Sequence, residues 1–250
     1  MVGIGFDLNN IDNDILDKID ILNIENPLYP NYLDSEIQAD IQKIITADYK
    51  KAIITDGAYI DINPGTSEKA VRELTKQKVI RSIQFAEQIR SQEIIFLSTF
   101  LPMIKLSSYE DAFVQNSISF WKEVLKNTDI HISLCNTFEY NPDILIRIAE
   151  GVNNKNFGLA FDIGHAFVFG HEPLKDFFEK LEPYCNTVYL HSNNGDIDSH
   201  LNLFEGTLIN SIEFQKIVLM IKNKNILLKP FDKSNLNKNL QVLNDILSKN

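Results

Sequence analysis

Four of the five histidines in the chain fall between residues 156 and 206. The same stretch also holds Asp162, Asp196 and Asp198, and its candidate site residues are Asp162, His165, His191, Asp198 and His200, whereas we expect His171 to be a surface or hydrogen-bonded residue. Imidazole nitrogens and carboxylate oxygens bind divalent metal ions and transfer protons near neutral pH. This density therefore predicts a metal-binding or catalytic site.

Two short apolar runs end at these polar residues. Residues 157–161 precede Asp162, and residues 187–190 precede His191. Between the runs, apolar residues recur at helical spacing from Leu174 to Leu181, so the unit reads as strand, helix, strand. A parallel crossover brings both strand ends to one edge of a sheet, and we expect Asp162, His165 and His191 to converge there.

Short apolar runs and amphipathic segments alternate along the rest of the chain. This pattern predicts a (β/α)₈ TIM barrel formed by one domain over residues 1–250. We expect the other strands at 2–8, 19–24, 52–55, 93–97, 130–134 and 226–228. The expected helices cover 13–18, 35–46, 109–126, 211–222 and 236–247, with a further long helix capped by Thr66 or Ser67 and a loop at 27–30.

The order of the polar motifs resembles the xylose isomerase-like barrels, which include sugar and sugar-phosphate isomerases and epimerases as well as endonuclease IV. The matching pieces are Asp162-Ile163-Gly164-His165, His191, Asp198-Ser199-His200 and Glu205-Gly206. The resemblance implies a site at the C-terminal mouth of the barrel. It also implies activity on a small polyhydroxy substrate.

In this family the principal metal is held by two glutamates, an aspartate and a histidine. Asp162 and His191 match the middle two ligands, but Cys135 and Lys229 stand where the glutamates would be. Those glutamates also move the proton in the epimerases. We expect Lys229 to supply the counter-charge of Asp162, so that lysine and metal exclude one another at this position.

Two readings stay open for each replacement. Cys135 is either a small buried apolar residue or a ligand and acid/base group. Lys229 is either a structural salt-bridge partner or a catalytic amine with a lowered pKa. If the chain is catalytic, Lys229 and Cys135 are the candidates for proton transfer, while His191 and His165 polarise substrate oxygens.

A second metal position is implied by the resemblance to endonuclease IV, because His165, Asp198 and His200 match its third ligand set. Two imidazoles and a carboxylate favour one divalent ion, Zn²⁺ in preference to Mn²⁺ or Mg²⁺. No organic cofactor is expected. In isomerases of the family the same residues often contact the substrate.

The simpler reading of single residues is structural. Asp162 could cap the turn that follows it, and His165 could be a hydrogen-bonded interior residue. Glu25 is a candidate substrate-binding residue, and Glu25 or Glu139 could replace the missing carboxylates. We expect both of these glutamates to be solvated.

The composition limits the classes of molecule that the protein is expected to bind. A formal net charge of -10 disfavours nucleic acid, and we expect a small-molecule substrate instead. The chain has no apolar run long enough to predict a membrane span. Cys135 and Cys185 are predicted to be free buried thiols, and we expect a soluble, cytoplasmic protein. The sequence leaves the oligomeric state open, a homo-oligomer included.

The functional prediction is an isomerase or epimerase-like protein with an altered metal site. The first alternative is a metal-dependent phosphodiesterase of the endonuclease IV kind, opposed by the acidic charge and by Asp56 and Ser98 at positions where histidines are needed. The second alternative is a non-catalytic barrel that binds a small molecule.

Overall fold

The computed structural model describes residues 1–6, 13–25 and 34–248. Eight parallel strands form a closed barrel in chain order. They are β1 (Val2–Phe6), β2 (Ile21–Ile24), β3 (Ala52–Asp56), β4 (Glu93–Leu97), β5 (His131–Cys135), β6 (Phe157–Asp162), β7 (Cys185–Leu190) and β8 (Asn225–Leu228). The predicted barrel is confirmed.

Helices connect the strands along the outside of the barrel. They are α1 (Asn13–Leu16), α2 (Asp34–Ala47), α3 (Lys69–Gln88), α4 (Ser107–Val124), α5 (Asp143–Val152), α6 (Ile163–Phe169), α7 (Leu174–Leu181), α8 (Ile212–Met220) and α9 (Leu236–Leu247). The α7 residues Phe177 and Phe178 are fully buried and pack on Phe161 of β6, with ring centroids 5.8 and 5.0 Å apart.

The barrel closes where β1 pairs with β8 in register, with Ile4 opposite Leu228. Gly3 lies at this crowded seam, where an added Cβ would come within 2.6 Å of the Ile21 Cβ and 2.7 Å of its carbonyl oxygen. Backbone approach this close leaves room only for glycine. A small cluster fills the interior, formed by Ile21, Ile54, Ile95, Cys135, Ala160, Tyr189 and Leu227.

One predicted helix cap was wrong, and two other predicted boundaries fall outside the described residues. The helix expected after Thr66 or Ser67 is capped by Glu68, whose carboxylate accepts a hydrogen bond from the Ala70 amide at 3.2 Å. Strand β1 ends at Phe6, and the predicted continuation through residue 8 lies outside the described residues, as does the loop at 27–30.

The crossover from β6 to β7 contains two helices where one was predicted. Helix α6 follows β6 without a loop because the Asp162 side chain caps it, accepting a hydrogen bond from the His165 amide at 2.9 Å. Helix α7 is the amphipathic segment that the spacing predicted. The short helix α6 carries His165 and thereby sets the position of a site residue.

Parallel closure places the C-terminal end of every strand at one mouth. Strands β3, β5 and β6 end at Asp56, Cys135 and Asp162. The residues directly after β2, β4, β7 and β8 are Glu25, Ser98, His191 and Lys229. Asp7, which the prediction placed at this mouth, lies outside the described residues.

Both cysteines are buried free thiols, as predicted. Across the described ranges, the helices are all too short or too polar to cross a membrane.

Candidate active site and metal centre

A cavity of about 490 Å³ opens at the mouth of the barrel. Six of the predicted site residues line it: Glu25, Asp162, His165, Asp198, His200 and Lys229. Two others are fully buried outside its lining. Cys135 packs in the barrel interior, and His191 contacts Asp162 and His200.

Three imidazoles gather around one carboxylate. The Asp198 Oδ2 atom lies 3.1 Å from His165 Nε2 and 3.2 Å from His200 Nε2. Its Oδ1 atom lies 4.0 Å from His191 Nε2. One ligand atom from each of these four residues can be chosen so that all lie within 4.8 Å of one another. The predicted trio of His165, Asp198 and His200 is therefore together, and His191 joins it.

Backbone carbonyls orient two of the imidazoles. His165 Nδ1 lies 3.0 Å from the Asn136 carbonyl oxygen, and His200 Nδ1 lies 2.7 Å from the Lys229 carbonyl oxygen. A carbonyl only accepts, so each Nδ1 carries the proton and donates it. In the neutral ring the Nε2 lone pair then points toward Asp198, which is the arrangement typical of metal-ligating histidines.

The cluster also contains polar atoms without partners. Asp198 Oδ1 and His191 Nδ1 are buried and make no hydrogen bond within the described structure. An unpaired buried carboxylate oxygen is costly unless a cation or donor reaches it. Together with the imidazole-rich ligand set, this indicates that the four residues are suited to a zinc-like ion.

The principal metal position of the family does not suit a metal in this chain. Burial raises the pKa of the Cys135 thiol well above its ordinary value, and the neighbouring Asp162 charge adds to that effect. The other glutamate position is occupied by the Lys229 ammonium. Two of the four ligands are thereby lost, and we derive no chemistry through this position.

Local geometry explains the Asp-Ile-Gly-His sequence. Asp162 Oδ1 caps α6 and also lies 2.9 Å from His191 Nε2. Asp162 is therefore both a helix cap and a member of the candidate site. A Cβ at Gly164 would overlap the His191 ring. His165, the third residue of α6, is buried and hydrogen-bonded while it also faces Asp198.

The loop after β7 holds His200 in an uncommon backbone conformation. Its φ is 44°, in the left-handed region that non-glycine residues seldom adopt. The Phe231 amide donates to the His200 carbonyl oxygen at 2.9 Å. The His200 ring lies between His191 and Phe231, at centroid distances of 3.7 and 4.3 Å. These contacts fix the ring against Asp198.

The carboxylates and imidazoles of the cluster shift one another's pKa values. Burial alone would raise the pKa of Asp162, but His165 and His191 lower it well below its ordinary range. Burial alone would lower the pKa of His165, but Asp162 and Asp198 raise it to about 9. Burial opposes ionisation of Asp198 as well, and hydrogen bonds from His165 and His200 outweigh it and lower its pKa.

Lys229 has different partners from those predicted. Its Nζ donates to Asp56 Oδ2 at 2.7 Å, Asn23 Oδ1 at 2.9 Å and Glu25 Oε1 at 3.1 Å. The expected pairing with Asp162 was wrong, because the Lys229 ammonium is bonded to acceptors on and directly after β2 and at the end of β3. Asp162 finds its counter-charges in the histidines.

The alternative of a catalytic amine with a lowered pKa was also wrong. Burial would lower the pKa of Lys229, but the charges of Asp56 and Glu25 outweigh that effect and raise it. All three N–H bonds of the ammonium are directed at protein acceptors. The salt-bridge reading of Lys229 is the one that the structure supports.

The network around Lys229 includes residues that the sequence reading missed. Asn23 donates to Asp56 Oδ1 at 3.0 Å, and the Tyr189 hydroxyl donates to the same atom at 2.5 Å. Lys233 donates to Glu25 Oε2 at 2.6 Å. One signal was available, since Asn23 interrupts the otherwise apolar strand β2.

Glu139 is not the solvated carboxylate that we expected, whereas Glu25 is partly exposed and paired with two lysines. Burial would raise the pKa of Glu25, but Lys229 and Lys233 lower it to about 2. Glu139 is only 2% exposed, so its prediction was wrong. Its position between the ends of β4 and β5 removes it from water.

Comparison with known proteins identifies the family. A family model described as xylose isomerase-like TIM barrel matches residues 22–245. The chain belongs to this family. An uncharacterized protein of Methanocaldococcus jannaschii is 30% identical over 217 residues, which are 79% of this chain and 73% of the relative.

Solved structures share the barrel at low sequence identity. A D-tagatose 3-epimerase-like protein has a TM-score of 0.79 and 23% identity, with 98% of this chain and 96% of that chain covered. A protein from Thermus thermophilus, solved after soaking with ZnCl₂, has a TM-score of 0.72 and 16% identity, with 100% and 98% covered.

A third relative is D-psicose 3-epimerase from Clostridium cellulolyticum, solved with D-tagatose. Its TM-score is 0.70 at 14% identity, with 98% of this chain and 97% of that chain covered. At these identities the likeness is one of fold. The function of this chain therefore has to be inferred from the residues of its own site.

Proposed function

We propose that this xylose isomerase-like barrel is a metal-dependent isomerase or epimerase of a small sugar or sugar phosphate. The observation that carries the proposal is the cluster of three imidazoles and Asp198 beside the mouth cavity. The cavity volume of about 490 Å³ suits a ligand of sugar size.

A divalent ion held by His165, His191, Asp198 and His200 would supply a Lewis acid for a substrate oxygen. The chain itself supplies carboxylates on two walls of the cavity. Glu25 follows β2 and Asp162 ends β6, and these strands are opposite one another in an eight-stranded barrel. Inversion at a carbon needs proton transfer on both of its faces, which this placement supports.

The proton-transfer roles first considered for Cys135 and Lys229 have less support. The thiol is buried in the barrel interior outside the cavity lining, and its pKa is raised by burial. The ammonium is bonded to three acceptors. We therefore assign proton transfer to Asp162 and Glu25, and a fixed positive charge in the cavity wall to Lys229.

A non-catalytic binding barrel is the second candidate, because both family glutamates are replaced by groups that move no proton here. Hydrogen exchange separates the two candidates. The protein, loaded with ZnCl₂, would be incubated in D₂O with a panel of ketopentoses, ketohexoses and their phosphate esters. Proton NMR would follow deuterium incorporation at the carbon next to the carbonyl.

An isomerase or epimerase should label at least one sugar, and Asp162→Asn should stop the labelling while still capping α6. His171→Ala is the matched control, because His171 stacks on Tyr140 outside the cavity and its loss should leave exchange unchanged. A sugar that binds without any exchange would favour the binding barrel instead.

A further inference from the structure

Both lysines of the mouth cavity are paired with carboxylates of the chain. Lys229 donates to Asp56 at 2.7 Å and to Glu25 at 3.1 Å. Lys233 donates to the other oxygen of Glu25 at 2.6 Å. Among the described residues, these two are the only lysines in the cavity lining, which contains no arginine. An anionic group of a substrate would therefore meet no unpaired ammonium or guanidinium group there.

The other lysines and the arginines lie outside this lining. Lys105, in the loop after β4, lines a cleft that shares no residue with the cavity. Segments 7–12 and 26–33, which follow β1 and β2 in the sequence, contain no lysine, arginine or histidine. The arginines are all on α3, directly after it or on α5: Arg72, Arg81, Arg90 and Arg147.

Helix N-termini are the other common binding sites for phosphate, and here they bind carboxylates of the chain itself. After β6, Asp162 accepts a hydrogen bond from the His165 amide at 2.9 Å. After β8, Asp232 accepts one from the Ser234 amide at 2.9 Å. After β3, Glu68 caps α3. A phosphate group would have to displace one of these carboxylates to reach the amides.

The charges of the cavity wall balance when a divalent ion is bound. Four carboxylates line the cavity, those of Glu25, Asp56, Asp162 and Asp198, and two ammonium groups face them. An ion held by the histidine cluster would supply the remaining positive charge. A phosphate group would then add negative charge without a counter-charge, which is costly in a partly buried site.

We propose that the substrate is an uncharged sugar, without a phosphate or carboxylate group. The inference rests on the isomerase or epimerase function proposed above and narrows its substrate class. Sugar hydroxyls donate hydrogen bonds to carboxylates, and the C–H faces of a sugar pack on apolar side chains. The cavity lining offers both, since Tyr59, Leu97 and Phe231 are among its residues and Phe231 is 71% exposed.

Calorimetric titration of the zinc-loaded protein tests the proposal. The ligands are the D-ketopentoses and D-ketohexoses, each paired with its terminal phosphate ester. We expect at least one free sugar to bind and its ester to bind about tenfold more weakly, because the ester brings a like charge to the carboxylates.

Two variants place a cation within reach of the ester. Phe231→Lys adds an ammonium group at an exposed position of the lining, and Glu25→Gln releases Lys233 from its carboxylate. Each should shift the affinity ratio of ester to free sugar by about tenfold in favour of the ester. Glu179→Gln is the matched control, because it releases Lys175 on α7 outside the cavity and should leave the ratio unchanged.

An ester that binds as tightly as its free sugar, or an unchanged ratio in either folded variant, would overturn the proposal. Binding of a free sugar without deuterium exchange would contradict the isomerase or epimerase function and leave the uncharged ligand class supported. Exchange of an ester in preference to its free sugar would do the reverse. If no sugar or ester binds, both proposals are wrong.

Discussion

Asp198 is the residue around which the histidine cluster is arranged. Its Oδ2 atom contacts His165 and His200, and its Oδ1 atom faces His191 without a hydrogen bond. Without a metal, the carboxylate is stabilised by imidazole N–H groups. A metal would take the same lone pairs, so protons and metal compete for one set of atoms.

The first prediction concerns the metal content of the protein. We expect the protein purified with zinc to hold about one equivalent, because the four residues can each direct one ligand atom at a single position. His200→Ala should release the ion, and elemental analysis after dialysis measures the loss. His171→Ala is the control and should retain it. Full zinc content in His200→Ala would show that the metal binds elsewhere.

The second prediction tests the Lys229 network. Lys229→Met leaves the Asp56 carboxylate without its counter-charge, while Glu25 keeps its pairing with Lys233. Because breaking a buried pair leaves uncompensated charge, we expect the free energy of unfolding to fall by about 3 kcal/mol in urea titrations.

The control for Lys229→Met is Lys175→Met, which breaks an exposed pair with Glu179 on one face of α7. It should change the free energy by less than about 0.5 kcal/mol. Similar values for the two variants would show that the buried network adds nothing particular to stability.

The third prediction is a pH dependence that Glu25 contributes. Its pKa in the folded protein is about 2, below its ordinary value of 4.5. A lowered pKa stabilises the fold fully above pH 4.5, and the contribution is lost as the pH falls toward 2. The stability difference between the parent protein and Glu25→Gln should therefore be constant above about pH 4.5 and shrink below it. Urea unfolding at a series of pH values checks this, and a constant difference down to about pH 3 would contradict it.

At the scale of elements, the short helix α6 connects fold and site. It begins at the Asp162 cap, presents Gly164 to the His191 ring and directs His165 at Asp198. The turn from β6 into α6 therefore sets the relative positions of three site residues. A side chain at residue 164 would separate α6 from the residue that follows β7.

The fourth prediction follows from that contact. Gly164→Ala should lower the free energy of unfolding by about 1 to 3 kcal/mol, because the added methyl group overlaps a buried ring. His191→Ala removes the ring, so the same glycine substitution should cost much less in that background. Urea unfolding of the two single variants and the double variant measures this coupling. Additive effects would show that the methyl group meets something other than His191.

At the scale of the whole molecule, closure of the barrel decides which charges meet. Strand β8 returns beside β1, which brings Lys229 within reach of Asp56 and Glu25. Four charged groups, those of Glu25, Asp56, Lys229 and Lys233, then form one neutral network on one wall of the mouth. The histidine cluster lies on the wall formed by β6 and β7.

The fifth prediction is that DNA is not a substrate. The formal net charge of -10 offers little release of counterions from a phosphate backbone, and Asp56 is bonded to Lys229 where a histidine ligand would be needed. Duplex DNA with an abasic site should remain intact with the protein and Zn²⁺ or Mn²⁺, as judged by denaturing gels. Cleavage that His200→Ala abolishes would contradict the prediction.

The amino-acid sequence alone determined the features that depend on local pattern. The alternation of apolar runs and amphipathic segments predicted the barrel, because periodicity follows from which face of each element is buried. Asp162 and His191 predicted the side of the barrel that bears the site, because each comes at the end of an apolar strand. The trio of His165, Asp198 and His200 came instead from the resemblance to endonuclease IV.

Only the tertiary structure decided which side chains meet across the mouth. Lys229 pairs with Glu25 and Asp56, and Glu139 is buried, although neither feature has a local signal in the sequence. These outcomes depend on the side-chain packing of strands and loops far apart in the chain. The burial of a charge and the partner it finds are set by that packing, because the cost of an unpaired charge depends on everything that surrounds it.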